Sequence, residues 1–154
     1  MTERDASHVT MKASLGNGKT LTRRVELLPD RAGFKVTSEL VGKGQQVLRI
    51  HPAFNTDSMK NTSLVIFHND KSEDVKLSET ESTNLYFRDN DRPTGKWAFV
   101  NKTTGYGVLN TFDANQIDFC YVNAKPEEKR LNLEQWSKPK DGRVTVTNTY
   151  EFWK

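Results

Sequence analysis

The chain has 154 residues, enough for one domain with a real core. Its hydrophobic fraction is only 34% and its mean hydropathy is −0.75, so that core must be thin and the outer faces wet. The 23 basic and 20 acidic side chains are interspersed and leave a net charge of +3. The pair Arg23-Arg24 and the stretch Lys138 to Lys140 are too small a basic footprint for nucleic acid.

No apolar stretch approaches the roughly 20 residues a membrane helix needs. Disorder is disfavoured because 3 Trp, 4 Tyr and 8 Phe recur to the end of the chain. The single cysteine, Cys120, excludes an internal disulfide and reads as a small buried hydrophobe. The first residues are polar and charged, so no secretion signal is visible; the compartment stays open, since an excised domain would not carry one.

In chain order, residues 1–6 read as a disordered lead-in and 7–154 as one β-sandwich domain. A first strand is expected over His8 to Leu15. Asn17-Gly18 then supplies the strongest short hairpin signal, returning the chain along Thr20 to Leu28. Pro29, Asp30 and Gly33 make the next turn. Phe34 to Val41 alternates with a period of two, as a strand with one packed and one solvated face does. Val47 to Phe54 is interrupted by Pro52, which marks a strand end, an edge or a bulge.

Further strands are expected over Ser63 to His68, Asp74 to Leu77 and Asn84 to Arg88. The aromatic-rich last third adds Lys96 to Asn101, Tyr106 to Phe112, Gln116 to Val122, Arg130 to Trp136 and Arg143 to Trp153. Short strands at this spacing, separated by turn residues, predict an all-β antiparallel sandwich.

Two segments could carry chemistry. In Arg49-Ile50-His51-Pro52-Ala53-Phe54-Asn55, a histidine closes a strand just before a proline-broken turn. In Arg130 to Ser137, alternation puts Glu134 on one face with Asn132 and Trp136. A carboxylate beside an indole suits sugar recognition, because the ring stacks on pyranose C–H groups while the carboxylate accepts hydroxyl hydrogen bonds. The plainer alternative is a solvated outer face with an exposed tryptophan.

Trp97 and Phe99 point the same way and read as core. So do Val144, Val146, Asn148, Tyr150 and Phe152, with Trp153 on the opposite face. His8 and His68 read as structural. Asp89 and Asp91 lack the spacing of a calcium loop. No zinc spacing, phosphate-cradling glycine loop or Ser-His-Asp arrangement occurs, so neither a metal nor a cofactor is expected.

Together these segments resemble the galactose mutarotase-like superfamily of aldose epimerases and related sugar-active domains. His51-Pro52-Ala53-Phe54-Asn55 is similar to the family's His-x-x-Phe-Asn motif. Leu133-Glu134-Gln135-Trp136 is similar to its glutamate strand. The Trp97 to Val100 run, Gly105-Tyr106-Gly107 and the closing Val144 to Tyr150 strand fit the same order. The resemblance implies part of a larger sandwich, with His51 as general acid and Glu134 as general base. Arg49, Asn55, Asn132 and Trp136 would then contact the sugar.

The family enzymes are longer and supply a further histidine and arginine that have no counterpart here. The expected function is therefore a non-catalytic carbohydrate-binding or accessory domain of a larger glycan-processing protein. An epimerase acting through His51 and Glu134, and a purely structural or interaction sandwich, are the alternatives. The expected partner is a mono- or oligosaccharide, with a companion domain or a second copy of the chain also compatible.

Overall fold

The computed structural model describes residues 2–50, 61–128 and 130–153. These residues form thirteen strands, joined by turns and short 3-10 segments. The strands are β1 (Thr2–Arg4), β2 (His8–Gly16), β3 (Lys19–Leu27), β4 (Gly33–Val41), β5 (Val47–Ile50), β6 (Thr62–His68) and β7 (Lys71–Lys76). They continue as β8 (Thr83–Arg88), β9 (Lys96–Asn101), β10 (Gly107–Phe112), β11 (Ile117–Lys125), β12 (Arg130–Ser137) and β13 (Arg143–Trp153). All pairings are antiparallel. Nine strands form one sheet in the order β1-β2-β3-β4-β13-β10-β9-β6-β7, and four form the other in the order β5-β12-β11-β8.

The hairpin chemistry acts as its residues require. Asn17 and Gly18 take φ of 48° and 72° between β2 and β3. That left-handed pair matches the twist of the strands it joins. Asn69, with φ 53°, turns β6 into β7.

The core lies where the small sheet covers the middle of the large one. Leu64, Ile66, Trp97, Phe99, Val144 and Val146 come from the large sheet, and Leu48, Cys120, Val122, Leu131 and Leu133 from the small. Burying each of the larger side chains is worth roughly 1.5–3 kcal/mol. Burial also pushes the Cys120 thiol far up, so it stays protonated. Among the described residues, nothing from β2 or β3 enters this core cluster. Those strands form a wing extending past the small sheet, with Met11, Leu15 and Leu27 exposed.

Polar groups cross the core in a connected set. Trp97 Nε1 donates to Asn110 Oδ1 at 2.7 Å. Gln135 Nε2, from the opposite sheet, donates to the same oxygen. Asn110 Nδ2 in turn donates to Asn148 Oδ1 at 3.0 Å. Such a network is tolerable in a dry interior because nearly every donor meets an acceptor. A second anchor holds the entry to β5: Ser38 Oγ donates to Gln46 Oε1 at 2.6 Å, and Gln46 Nε2 donates to the Val144 carbonyl at 2.7 Å.

The structure departs from the sequence-based expectations in four places. Thr2–Arg4 are not a lead-in but pair with Val9 to Met11 as β1. β7 begins at Lys71, ahead of the expected Asp74. It is a sheet edge with mostly charged side chains, so it shows little apolar alternation. β11 runs on to Lys125, because Asn123 to Lys125 still pair with β12. Phe152 is not core but 66% exposed, at the end of β13 opposite Val108.

Candidate functional site

The small sheet turns one face to the core and the other outward. Strand alternation sorts its residues cleanly. On β12, Leu131, Leu133 and Gln135 point into the core, leaving Asn132, Glu134 and Trp136 on the outer face. On β11, Cys120, Val122 and Ala124 face inward, leaving Phe119, Tyr121 and Asn123 outside. β8 follows the same rule, with Leu85 and Phe87 packed on the core.

Register then lines the outer side chains up in rows across the sheet. One row is Arg49, Glu134, Tyr121 and Tyr86; the next is Trp136, Phe119 and Arg88; the third is Asn132, Asn123 and Asn84. A charged row therefore lies between an aromatic row and an amide row.

Glu134 sits at the centre and is only 2% exposed. Arg49 Nη2 lies 2.7 Å from its Oε1, and Trp136 Nε1 donates to its Oε2 at 3.0 Å. A carboxylate has about four lone-pair positions, so each oxygen keeps acceptor capacity for a hydroxyl. Arg49 remains about half exposed, so its guanidinium can serve Glu134 and a ligand together.

The aromatic row is stacked. Phe119 and Trp136 lie 5.2 Å apart with rings inclined by 15°, and the Arg88 guanidinium sits 4.3 Å over Phe119. Tyr86, 60% exposed, packs on Tyr121 at 4.6 Å. Partial burial, followed by the neighbouring Tyr86 and Glu134, raises the Tyr121 phenol above its usual range.

The amides are chained as well. Tyr121 Oη donates to Asn84 Oδ1 at 2.6 Å, and Asn123 Nδ2 donates to the same oxygen at 2.9 Å. Asn132 Nδ2 reaches Asn123 Oδ1 at 3.5 Å. The Asn132 Oδ1 atom is buried with no partner among the described residues.

Of the residues singled out from the sequence, Arg49, Asn132, Glu134 and Trp136 come together on this face. His51 and Asn55, with Pro52 and Phe54, lie outside the described residues. Trp136 is not the freely exposed tryptophan of the plainer alternative, since it is partly covered and bonded to Glu134. Six outer-face residues escaped sequence reasoning: Asn84, Tyr86, Arg88, Phe119, Tyr121 and Asn123. Their signal was the same period-two alternation, which puts aromatics and amides opposite Leu85, Phe87, Cys120 and Val122.

Neither a protein-family model nor a curated protein matches the chain. Solved structures do. A candidate aldose 1-epimerase from Escherichia coli K12 aligns with a TM-score of 0.72 and 8% identity, over 99% of this chain and 67% of that one. The Slr1438 protein of Synechocystis sp. PCC 6803 aligns with a TM-score of 0.69 and 10% identity, over 99% and 64%. A candidate aldose 1-epimerase from Klebsiella pneumoniae aligns with a TM-score of 0.66 and 11% identity, over 99% and 53%. The chain thus has the galactose mutarotase-like sandwich fold and spans about two thirds or less of these neighbours.

Proposed function

We propose that the outer face of the small sheet binds carbohydrate without catalysing a reaction, as an accessory domain of a larger glycan-processing protein. The observation that carries this reading is Glu134, buried between Arg49 and Trp136 and flanked by aromatic and amide rows. Glu134 and Asn132 accept hydroxyl hydrogen bonds, and Arg49 donates them. Trp136 and Tyr86 offer ring surface to the C–H faces of a pyranose. Sugars present this mixture of closely spaced hydroxyls and small apolar patches, and sites are recognised by such convergence. Fold alone does not assign an activity.

A second reading is favoured by the fold likeness to candidate aldose 1-epimerases. In it, His51 protonates the ring oxygen while Glu134 removes the anomeric hydroxyl proton. Each positioned proton transfer would contribute about 10²–10⁴-fold.

The test is a ¹⁵N NMR titration with simple sugars and short glycans, following the indole N–H signals of Trp97, Trp136 and Trp153. Binding at this face moves the Trp136 signal saturably, and Glu134→Ala abolishes the movement. Anomeric exchange in the same sample separates the readings: no acceleration supports the binding domain, and acceleration lost in both His51→Ala and Glu134→Ala supports the epimerase. If no indole moves at about 10 mM ligand, where even a millimolar site is mostly filled, the carbohydrate reading falls.

A further inference from the structure

The large sheet carries a second concentration of unsatisfied polar chemistry, away from the outer face of the small sheet. On β3, Thr22 and Arg24 point outward, and Arg24 pairs with Glu26 at 3.1 Å. Arg23 points the other way, in register with the fully buried Ser38 on β4 and with Met11 on β2. It stands where the covered part of the sheet gives way to the wing.

There a cleft of about 260 Å³ opens, walled by Leu21, Leu40 and Val47 and lined by Lys19, Arg23 and Lys43. No acidic side chain lines it. None of the three cations forms an ion pair among the described residues. Several basic side chains near it do pair: Lys35 with Glu26, Arg143 with Glu39 and, in the β3–β4 turn, Arg31 with Glu151. Moreover, Arg23 Nε is buried with no hydrogen-bond partner among the described residues.

Three like charges lining one cleft raise its positive potential, and a buried guanidinium nitrogen without an acceptor is costly. An anion relieves both at once. The anchored Gln46, bonded to Ser38 and Val144, fixes the chain segment that carries Lys43 and Val47 along the cleft wall.

We propose that this cleft binds a small anionic ligand, a phosphate or carboxylate on a compact, partly apolar body. Arg23 makes the central charge-assisted contact, with Lys19 and Lys43 closing over the anion. Leu21, Leu40 and Val47 receive the apolar part. The volume is below the common range of roughly 300–1,000 Å³ for small-molecule sites, which limits the ligand to about the size of a monosaccharide. The site is independent of the carbohydrate face and stands whether or not that face binds sugar.

The experiment is a ¹⁵N NMR titration of the full chain with inorganic phosphate and, separately, with acetate, at constant ionic strength near 0.15 M to screen general attraction. The expected result is a saturable shift of the Arg23 Nε–H signal together with the Gly44 and Gln45 amides. The indole signal of Trp136 stays still. Phosphate moving these signals alone assigns a phosphate ligand, acetate alone a carboxylate, and both an anion site open to either.

Arg23→Gln should weaken the binding at least tenfold, while Arg24→Gln on the opposite face should leave it unchanged. If the Arg23→Gln spectrum shows a disturbed fold, Lys43→Gln and Lys19→Gln together serve instead, with the same expected loss. Shifts that stay linear in concentration, shifts spread over all surface cations, or saturation that survives these substitutions would overturn the proposal.

Discussion

The sandwiched half of the large sheet and its β1–β3 wing are built from the same kind of strand, yet different forces hold them. In the sandwiched half, alternate residues of β6, β9, β10 and β13 disappear under the small sheet, with Trp97, Leu64 and Val146 at 1% exposure or less. In the wing, β2 has no buried residue at all. What holds the wing is ladder hydrogen bonding to β4, the Asn17-Gly18 turn and local polar contacts. Strand formation thus requires a paired neighbour, whereas stability requires a covered face.

The largest test of that contrast is a pair of truncations. Trp97→Ala should cost about 3–5 kcal/mol, as large aromatic deletions in a core do. Leu27→Ala, at a wing position 63% exposed, should stay within about 0.5 kcal/mol. Urea denaturation of both variants measures the difference, and equal losses would show that the wing is covered in solution.

Next in size is the buried polar set. Asn110→Ala removes the acceptor of both Trp97 Nε1 and Gln135 Nε2. Each orphaned donor should cost about 1–3 kcal/mol. Gln135→Leu, made in the same background, should recover part of the loss, and the urea midpoint would show it.

The outer face comes third. Arg49→Ala leaves the buried Glu134 carboxylate with Trp136 as its one partner among the described residues. Because Arg49 is half exposed, the expected cost is about 1.5–3 kcal/mol, the worth of one charge-assisted hydrogen bond. If Arg49→Ala is neutral, Glu134 is not held as described.

A smaller effect is read in pH. The Tyr121 phenol is raised by burial and by Tyr86 and Glu134, so it should ionise above 10.0. Glu134→Gln should bring it down, seen as an earlier step in an absorbance titration and assigned by its loss in Tyr121→Phe. The sign follows from linkage. A group raised in the folded state contributes stability that is full below its unfolded value and is lost as pH rises through the folded one.

Smallest is the turn at the start of the wing. The Ser7 amide and hydroxyl and the His8 amide all donate to Asp5, whose carboxyl is lowered to about 2, chiefly by the Ser7 backbone bond. The turn should hold above pH 3.8 and release as pH falls through 2, followed by the Ser7 amide signal. Release well above that window would mean the turn is not fixed by Asp5.

Much of this fold was legible because its signals are local. Alternation in β4 and β13, and Asn-Gly between β2 and β3, placed those strands within a residue or two. Weak local signals were missed or half read: β1 has three polar residues, and β7, with only Val75 to turn inward, was placed too late by three residues at its start. Pairing is a different kind of information. Alternation in β12 puts Glu134 beside Trp136, but nothing local to either says that Arg49 will lie in register with Glu134. Nor does it say that Phe119 will stack on Trp136. Those neighbours come from strand order, which brings β5 and β11 to the two sides of β12. Phe152 misled for the complementary reason, since its alternation is right but the small sheet ends before reaching it.

Among the described residues neither sheet closes on itself, and the end strand of a sheet leaves backbone groups that could accept another strand. Long, flat, apolar edges are the usual seeds of aggregation. At one end of the large sheet, β7 carries Lys71, Glu73, Asp74 and Lys76, and all four are exposed. An incoming strand would have to lie against both signs of charge at close spacing. That border of the large sheet is thereby protected from templating a further strand.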